Sequence, residues 1–325
     1  MLNRTAEALF WIGRYMERVE NHARLIDVYY HLQQDEFNKG SNHSNDNDKW
    51  MRIVDALGSR TMFEQSYKEY NEQLVLFYAT LDRDNTNSLV SCVSHARNNL
   101  RTLREQAPTE MWDVMNSFYL WLREQQADGL LHESPHQFLG QIKNWTNMFA
   151  GCINSVMSRQ NEWYFIECGR YLERSENTLR ILCTVEGYAC KANSLQTDSY
   201  SYLQAVLKSV SGYQTYRRQY ADRITVPEIF EFVIMNPTFP RSIHFAFHQL
   251  VLNIRSLELY DKPLKVAHDR IVRKLSKMIA ELDCLEVNDI YNDEEEKLTA
   301  QLLQSCQWIG DEFAQTFFLI GEVSA

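Results

Sequence analysis

The sequence predicts an all-α protein, a helical bundle built from two duplicated, pseudo-symmetric halves, and three observations carry that expectation. Only 11 glycines and 6 prolines punctuate 325 residues, and the apolar pattern is helical nearly everywhere, with no long strand-like alternation. A charged segment near the start returns near the middle: from Gly13 to Arg24 and from Gly169 to Arg180, eight of twelve residues are identical. Unrelated segments share about one at average amino-acid usage, so a repeat is read before anything else. A second correspondence runs in step with the first. Tyr78, Asp82, Ser88, Asn99, Leu100, Arg101 and Leu103 align with Phe232, Asn236, Ser242, Asn253, Ile254, Arg255 and Leu257 at a shift of 154, against 156 for the charged segment. The boundary falls near 135–155, and the halves, 1–150 and 151–325, are expected to share one core.

The first helix is expected over residues 5–34, a stretch without proline and rich in good helix formers. At 100° per residue, Arg14, Glu17, Arg18, Glu20, Asn21 and Arg24 fall on one arc, and Ile12, Tyr15, Met16, Val19, Ala23 and Ile26 on the opposite one. The second copy, on a helix expected over 163–188, repeats the polar arc as Arg170, Glu173, Arg174, Glu176, Asn177 and Arg180. The pairs of Arg14 with Glu17 and Glu20 with Arg24 stabilise a helix by about 0.2–0.5 kcal/mol each, too little to account for the identities. The arc admits three readings. As a solvated face it needs no particular residues, since Lys, Gln or Ser serve equally well. As a pairing device, each Arg faces a Glu of the other copy and fixes the register of two packed helices. As a binding site, three arginines per copy grip carboxylates or phosphates. The pairing device is the leading expectation, with binding open wherever an arginine is left free.

Between the two copies, residues 38–48 form a polar, turn-forming run expected to be an exposed, mobile loop. Helices are expected at 50–57, 66–80, 89–106 and 110–126, with Asn87 or Ser88 capping the third of these. A start at Ser134-Pro135-His136-Gln137 combines Ser at the N-cap, Pro at N1 and Gln at N3 as a capping box, ahead of a helix over 139–157. After the second copy come 200–209, 213–220 and a helix beyond Pro227. Asn236, Pro237, Pro240, Arg241 and Ser242 then form the sharpest turn in the chain, because two prolines enforce extended backbone before a helix over 242–260. The chain closes with a loop at 283–293 and a helix over 294–322, whose acidic start suits the positive end of a helix dipole.

Composition limits function. The formal charge is −10, which argues against general nucleic-acid binding, so any anion site must be local. No apolar run reaches a membrane span, and Glu7 stands where a signal peptide needs apolar residues; a cytoplasmic protein is expected. Seven cysteines without a C-x-x-C suit reduced, buried thiols. His132-Glu133-x-x-His136 matches a zinc-protease pattern, but Pro135 interrupts the helical turn that such ligation requires. His244 and His248 share a helix face among Phe245, Phe247 and Leu250 with no carboxylate near in sequence, which favours packing over metal. No metal site, phosphate loop or nucleophile motif is assigned. Glu17, Glu20, Glu173 and Glu176, set between arginines, are the acid or base candidates if the chain is an enzyme.

The run Arg4-Thr5-Ala6-Glu7, Phe10-Trp11-Ile12-Gly13-Arg14-Tyr15-Met16-Glu17-Arg18, Glu20-Asn21 and Ala23-Arg24 resembles the opening signature of the bacterial alpha-E family. The resemblance continues in family order through Glu110-Met111-Trp112, Ser158-Arg159, Gly169 to Arg174, Tyr216-Arg217-Arg218 and the 236–242 turn. The Asn/Asp-rich run at 38–48 and Asn3 before Arg4 depart from it. The resemblance implies an all-helical protein encoded beside, or fused to, a circularly permuted ATP-grasp protein, often near transglutaminase-like proteases. It therefore implies a non-catalytic helical companion of a peptide or amide ligase, with ATP and Mg on the partner and no cofactor in this chain. A peptide substrate held on the Arg/Glu/Asn faces is the accompanying expectation; an amide-bond enzyme in its own right and a structural scaffold are the alternatives.

Overall fold

The computed structural model describes residues 3–38, 46–125, 134–191, 196–221, 223–286 and 298–318. The chain runs α1 (Asn3–Asn38), α2 (Asp46–Ala56), α3 (Arg60–Ser66), α4 (Glu72–Thr80), α5 (Leu89–Thr102), α6 (Thr109–Arg123), α7 (Pro135–Val156) and α8 (Asn161–Lys191). It continues with α9 (Gln196–Ser209), α10 (Tyr213–Tyr220), α11 (Val226–Phe230), α12 (Ile243–Arg255), α13 (Lys262–Asp283) and α14 (Leu298–Phe313). π-helical turns extend α11 through Glu231–Met235 and α14 through Ala314–Phe318. Every regular element among the described residues is helical.

The two helices that carry the repeated segment, α1 and α8, form the central pair. Their backbones meet at the repeated glycine: a Cβ on Gly13 would stand 2.0 Å from the carbonyl oxygen of Ile166, and one on Gly169 2.0 Å from that of Phe10. Only glycine permits this approach, and the approach brings the polar arcs of both helices within reach of each other. Helices α5, α7 and α9 pack on α1, and α12 and α14 pack on α8. A continuous cluster of buried apolar side chains runs from Ala6 to Phe317, with Phe10 stacked on Phe313 at 5.1 Å between ring centroids.

Several expected boundaries shift for local reasons. The expected helix over 66–80 divides, because Phe63, Tyr67, Tyr70 and Tyr78 pack into one aromatic cluster, and the chain re-enters helix only after Asn71, whose side chain caps Leu74 N at 2.9 Å. Asp46 to Asp48 belong to α2 rather than to the polar loop, while residues 39–45 lie outside the described residues. Ser88, rather than Asn87, caps α5. Ser134 does precede Pro135 at the start of α7, but its side chain makes no capping bond, so the capping box is absent. Helix α12 ends at Arg255 rather than 260. Helix α13 has no counterpart among the sequence expectations, although Ile271, Leu275, Met278, Ile279 and Leu282 are buried along one of its sides. Cys284 is exposed, against the expectation of buried thiols.

Candidate functional site

The polar arcs of α1 and α8 exchange charges reciprocally. Arg18 donates from Nε to Glu173 Oε1 (2.7 Å) and from Nη2 to Oε2 (2.9 Å). Arg174 does the same to Glu17, Nε to Oε1 (2.7 Å) and Nη2 to Oε2 (2.8 Å). Asn21 and Asn177 each donate to the glutamate one turn before them, Glu17 at 3.0 Å and Glu173 at 3.1 Å. Bidentate guanidinium–carboxylate forks combine strength with fixed geometry. Burial by itself raises a carboxyl pKa, but Arg174 and Arg241 outweigh it and bring Glu17 down to about 2. Arg18 and Arg14 likewise outweigh burial at Glu173, which is fully enclosed, and hold it well below the carboxylate range. Such carboxylates are poor proton acceptors near neutral pH, so Glu17 and Glu173 behave as fixed anions.

Away from these shared pairs the two sides differ. On the first, Arg14 donates to Glu173 Oε2 (2.7 Å) and Glu176 Oε2 (2.8 Å), and Arg18 Nη1 to Asn87 Oδ1 (2.7 Å). Arg180 completes that side by donating to Asn177 Oδ1 and Glu176 Oε2, each at 2.9 Å. On the second side Arg170, which corresponds to Arg14, turns instead to Glu167. Arg241 takes the vacated place and donates to Glu17 Oε1 (3.3 Å), Asn21 Oδ1 (2.5 Å) and Glu20 Oε2 (2.5 Å), while Arg24 also pairs with Glu20.

The 236–242 turn delivers Arg241. Asn236 Oδ1 accepts from the backbone N–H groups of Thr238 and Phe239 at 2.9 Å, and Ser242 Oγ caps α12 by accepting from Phe245 N at 3.0 Å. Pro237 and Pro240 keep the intervening backbone from helix. The Pro240 carbonyl accepts from Arg174 Nη1 (3.3 Å) and the Arg241 carbonyl from Thr178 Oγ1 (3.4 Å), which ties the turn to α8.

A half-open cavity of about 230 Å³ lies between α1, α7 and α8, lined by Arg24, Arg170, Arg174 and Arg241, by Glu17, Glu20 and Glu167, and by Thr146 and Asn147 of α7. Four guanidiniums face three carboxylates. Two buried guanidinium nitrogens, Arg24 Nη1 and Arg170 Nε, have no acceptor. Burial and repulsion from Arg241 push the Arg24 pKa well below the ordinary arginine value, and burial brings Arg241 to about 10 against the pull of Glu17. Arginine nonetheless keeps its proton in proteins, so the cavity lining carries one guanidinium more than it has carboxylates. Burial raises the Glu167 pKa, with Arg170 and Arg174 opposing, and protonation there would deepen the positive excess. A second hollow of about 420 Å³ lies beside Phe10, Trp11, Arg14 and Glu176, the residues that correspond to Ile166, Glu167, Arg170 and Glu20. There Arg14 is held by Glu173 and Glu176, and it is not among the buried groups that lack a partner.

Of the sequence candidates, the structure brings Glu17, Glu20, Arg24, Arg170, Arg174 and Arg241 to the cavity; Arg14, Arg18, Glu173, Glu176, Asn177 and Arg180 form the fully paired side. Sequence reasoning missed Glu167, Thr146 and Asn147. Glu167 carried a signal, since it stands where the first copy has Trp11. Arg241 drew notice only as part of a turn, because no spacing rule connects it with Glu17. His244 is buried and lies 2.6 Å from Asp283 Oδ1, a carboxylate brought from α13. Helix α7 begins at Pro135, between the two histidines of the zinc-protease pattern; His132 and Glu133 lie outside the described residues.

A family profile described as a predicted alpha-helical domain with a conserved ER motif matches residues 1–318. Uncharacterized proteins of Mycobacterium bovis and of two Mycobacterium tuberculosis strains are each 22% identical over 278 residues, a match covering 78% of this chain. The chain spans only 30% of the length of those relatives. No solved structure matches it. No helix among the described residues is long and apolar enough to cross a membrane.

Proposed function

The chain belongs to the Alpha-E family, and we propose that it is a non-catalytic helical subunit that holds the carboxylate end of a peptide for a companion ATP-grasp amide ligase. The observation that carries this reading is the cavity itself: four arginines against three glutamates, with Arg24 Nη1 and Arg170 Nε buried and unpartnered. Its volume of about 230 Å³ falls below the roughly 300–1,000 Å³ of pockets that swallow a drug-sized ligand. It therefore takes one terminal residue and leaves the rest of a peptide outside, within reach of a partner. ATP and Mg belong to that partner, on the resemblance stated above. The mycobacterial relatives support the arrangement, since most of their length lies outside the match and leaves room for a fused catalytic domain.

We also read the chain as two related halves, about 1–150 and 151–325, that share one core. Support comes from contacts repeated at a shift of 156: Gly13 on Ile166 and Gly169 on Phe10, Arg18 with Glu173 and Arg174 with Glu17. On this reading the paired charges fix the register of α1 and α8, and only the second side has been released for binding.

The test combines co-purification with the neighbouring ATP-grasp protein and calorimetric titration of short peptides. A free peptide acid should bind at least about tenfold tighter than the same peptide amide, by loss of a charge-assisted pair, and Arg170→Gln should remove that difference in protein whose circular dichroism and urea midpoint show that it is folded. Failure of two folded proteins to associate, together with equal binding of acid and amide, would sink the reading.

A further inference from the structure

Asp27 and His31 lie one turn apart on α1, and His136 comes from the first turn of α7. Three of their atoms converge. His136 Nδ1 is 2.7 Å from Asp27 Oδ1, His31 Nε2 is 3.0 Å from His136 Nδ1, and His31 Nε2 is 3.6 Å from Asp27 Oδ1. Protons satisfy this triangle poorly, because a single imidazole nitrogen either donates or accepts. If His136 Nδ1 carries hydrogen, one N–H faces both acceptors; if it accepts from His31, its lone pair stands against a carboxylate oxygen. A cation at the centre satisfies all three lone pairs at once.

We propose that Asp27, His31 and His136 form a binding site for a divalent transition-metal ion of the zinc class. Two imidazole nitrogens and one carboxylate oxygen are a donor set for such ions, which favour nitrogen more than calcium or magnesium do. Bonds of about 2.0–2.1 Å at tetrahedral angles set ligand atoms about 3.3–3.4 Å apart, and the three observed separations bracket that spacing. The adjustment needed is small and falls on movable groups, since the side chains of His31 and His136 are 53% and 52% exposed. Asp27 is the anchored member: it is buried, and Lys143 Nζ holds its Oδ2 at 2.6 Å, which aims Oδ1 at the two rings. Three protein ligands leave a further coordination position open beside the exposed rings. The site lies in the α1/α7 seam, with Asp27 and Lys143 each about one helical turn along from the cavity residues Arg24 and Asn147, but it does not depend on the peptide-binding proposal.

The full chain, stripped with a chelator and dialysed against micromolar Zn²⁺, should retain one ion that the double variant His31→Ala/His136→Ala loses, with affinity lowered by at least about tenfold. The variant should keep the wild-type circular dichroism, because both rings are half exposed. A control, His244→Ala/His248→Ala, should retain the ion. Substitution of Co²⁺ in the wild type gives a reading that needs no variant: nitrogen and oxygen coordination, without a thiolate charge-transfer band. Wild-type protein that retains no zinc, equal retention by the His31/His136 variant, or a thiolate band would each overturn the proposal.

Discussion

Glu17 stays ionised in the interior because Arg174, Arg241 and Asn21 donate to it, replacing the water it lost on folding. Its pKa of about 2, against an ordinary 4.5, fixes the sign of a pH effect. A carboxylate depressed in the folded state contributes stability that is complete above the unfolded value and lost as pH falls toward the folded one. Urea unfolding across a pH series should therefore show wild-type stability declining as pH drops from about 4.5 toward 2. Glu17→Gln should cost about 3–5 kcal/mol near neutral pH, because it leaves buried guanidiniums without their anion, and should flatten the acid decline. A variant with unchanged stability would show that the pair contributes nothing to the fold.

At the scale of elements, the contact between α1 and α8 is decided at two glycines. Gly13→Ala would drive a methyl group into the Ile166 carbonyl, and backbone on the facing helix cannot turn aside as a side chain can. The expected cost is about 3 kcal/mol, the upper part of the range for overpacking, read as a lowered urea midpoint. Gly151 offers the opposite case within α7: a Cβ there meets nothing within 4 Å, so Gly151→Ala should stabilise by about 0.5–1 kcal/mol through helix propensity alone. Equal effects at the two sites would refute the proposed backbone contact. Element boundaries were legible in the sequence where local chemistry sets them, as at Ser242, which both ends the proline turn and caps α12. They were illegible where packing sets them: the division between α3 and α4 follows from Phe63 and Tyr67 meeting Tyr78. Helix α13 was legible as well, although the sequence expectations omit it: its buried row of Ile271, Leu275, Met278, Ile279 and Leu282 recurs at helical spacing opposite a Lys- and Arg-rich exposed side.

For the whole molecule, the continuous core implies that the two halves unfold together. Hydrogen exchange in mild denaturant should give the same opening free energy for the slowest amides of α5 and of α12, which pack on α1 and α8 respectively. Two separate values would show that the halves are independent units. The candidate site belongs to this scale as well. Its charged residues on α1 and α8 were visible as a repeated polar arc, but the cavity also needs Arg241 from a distant turn and Thr146 and Asn147 from α7. Nothing local distinguishes Thr146 and Asn147 from ordinary surface residues, and the proline turn that marks Arg241 does not show which helix it faces.

The sequence by itself determined that the chain is helical and that α1 and α8 carry matching polar arcs, because both follow from residue spacing along a helix with a period of about 3.6 residues. Tertiary structure alone decided which arginine each glutamate receives. Arg14 and Arg170 occupy corresponding places in the repeat, yet Arg14 is bound on both sides while Arg170 lines a cavity with a nitrogen unpartnered. The difference arises from Arg241, which arrives from 224 residues beyond Glu17 and satisfies the carboxylates that Arg170 would otherwise hold.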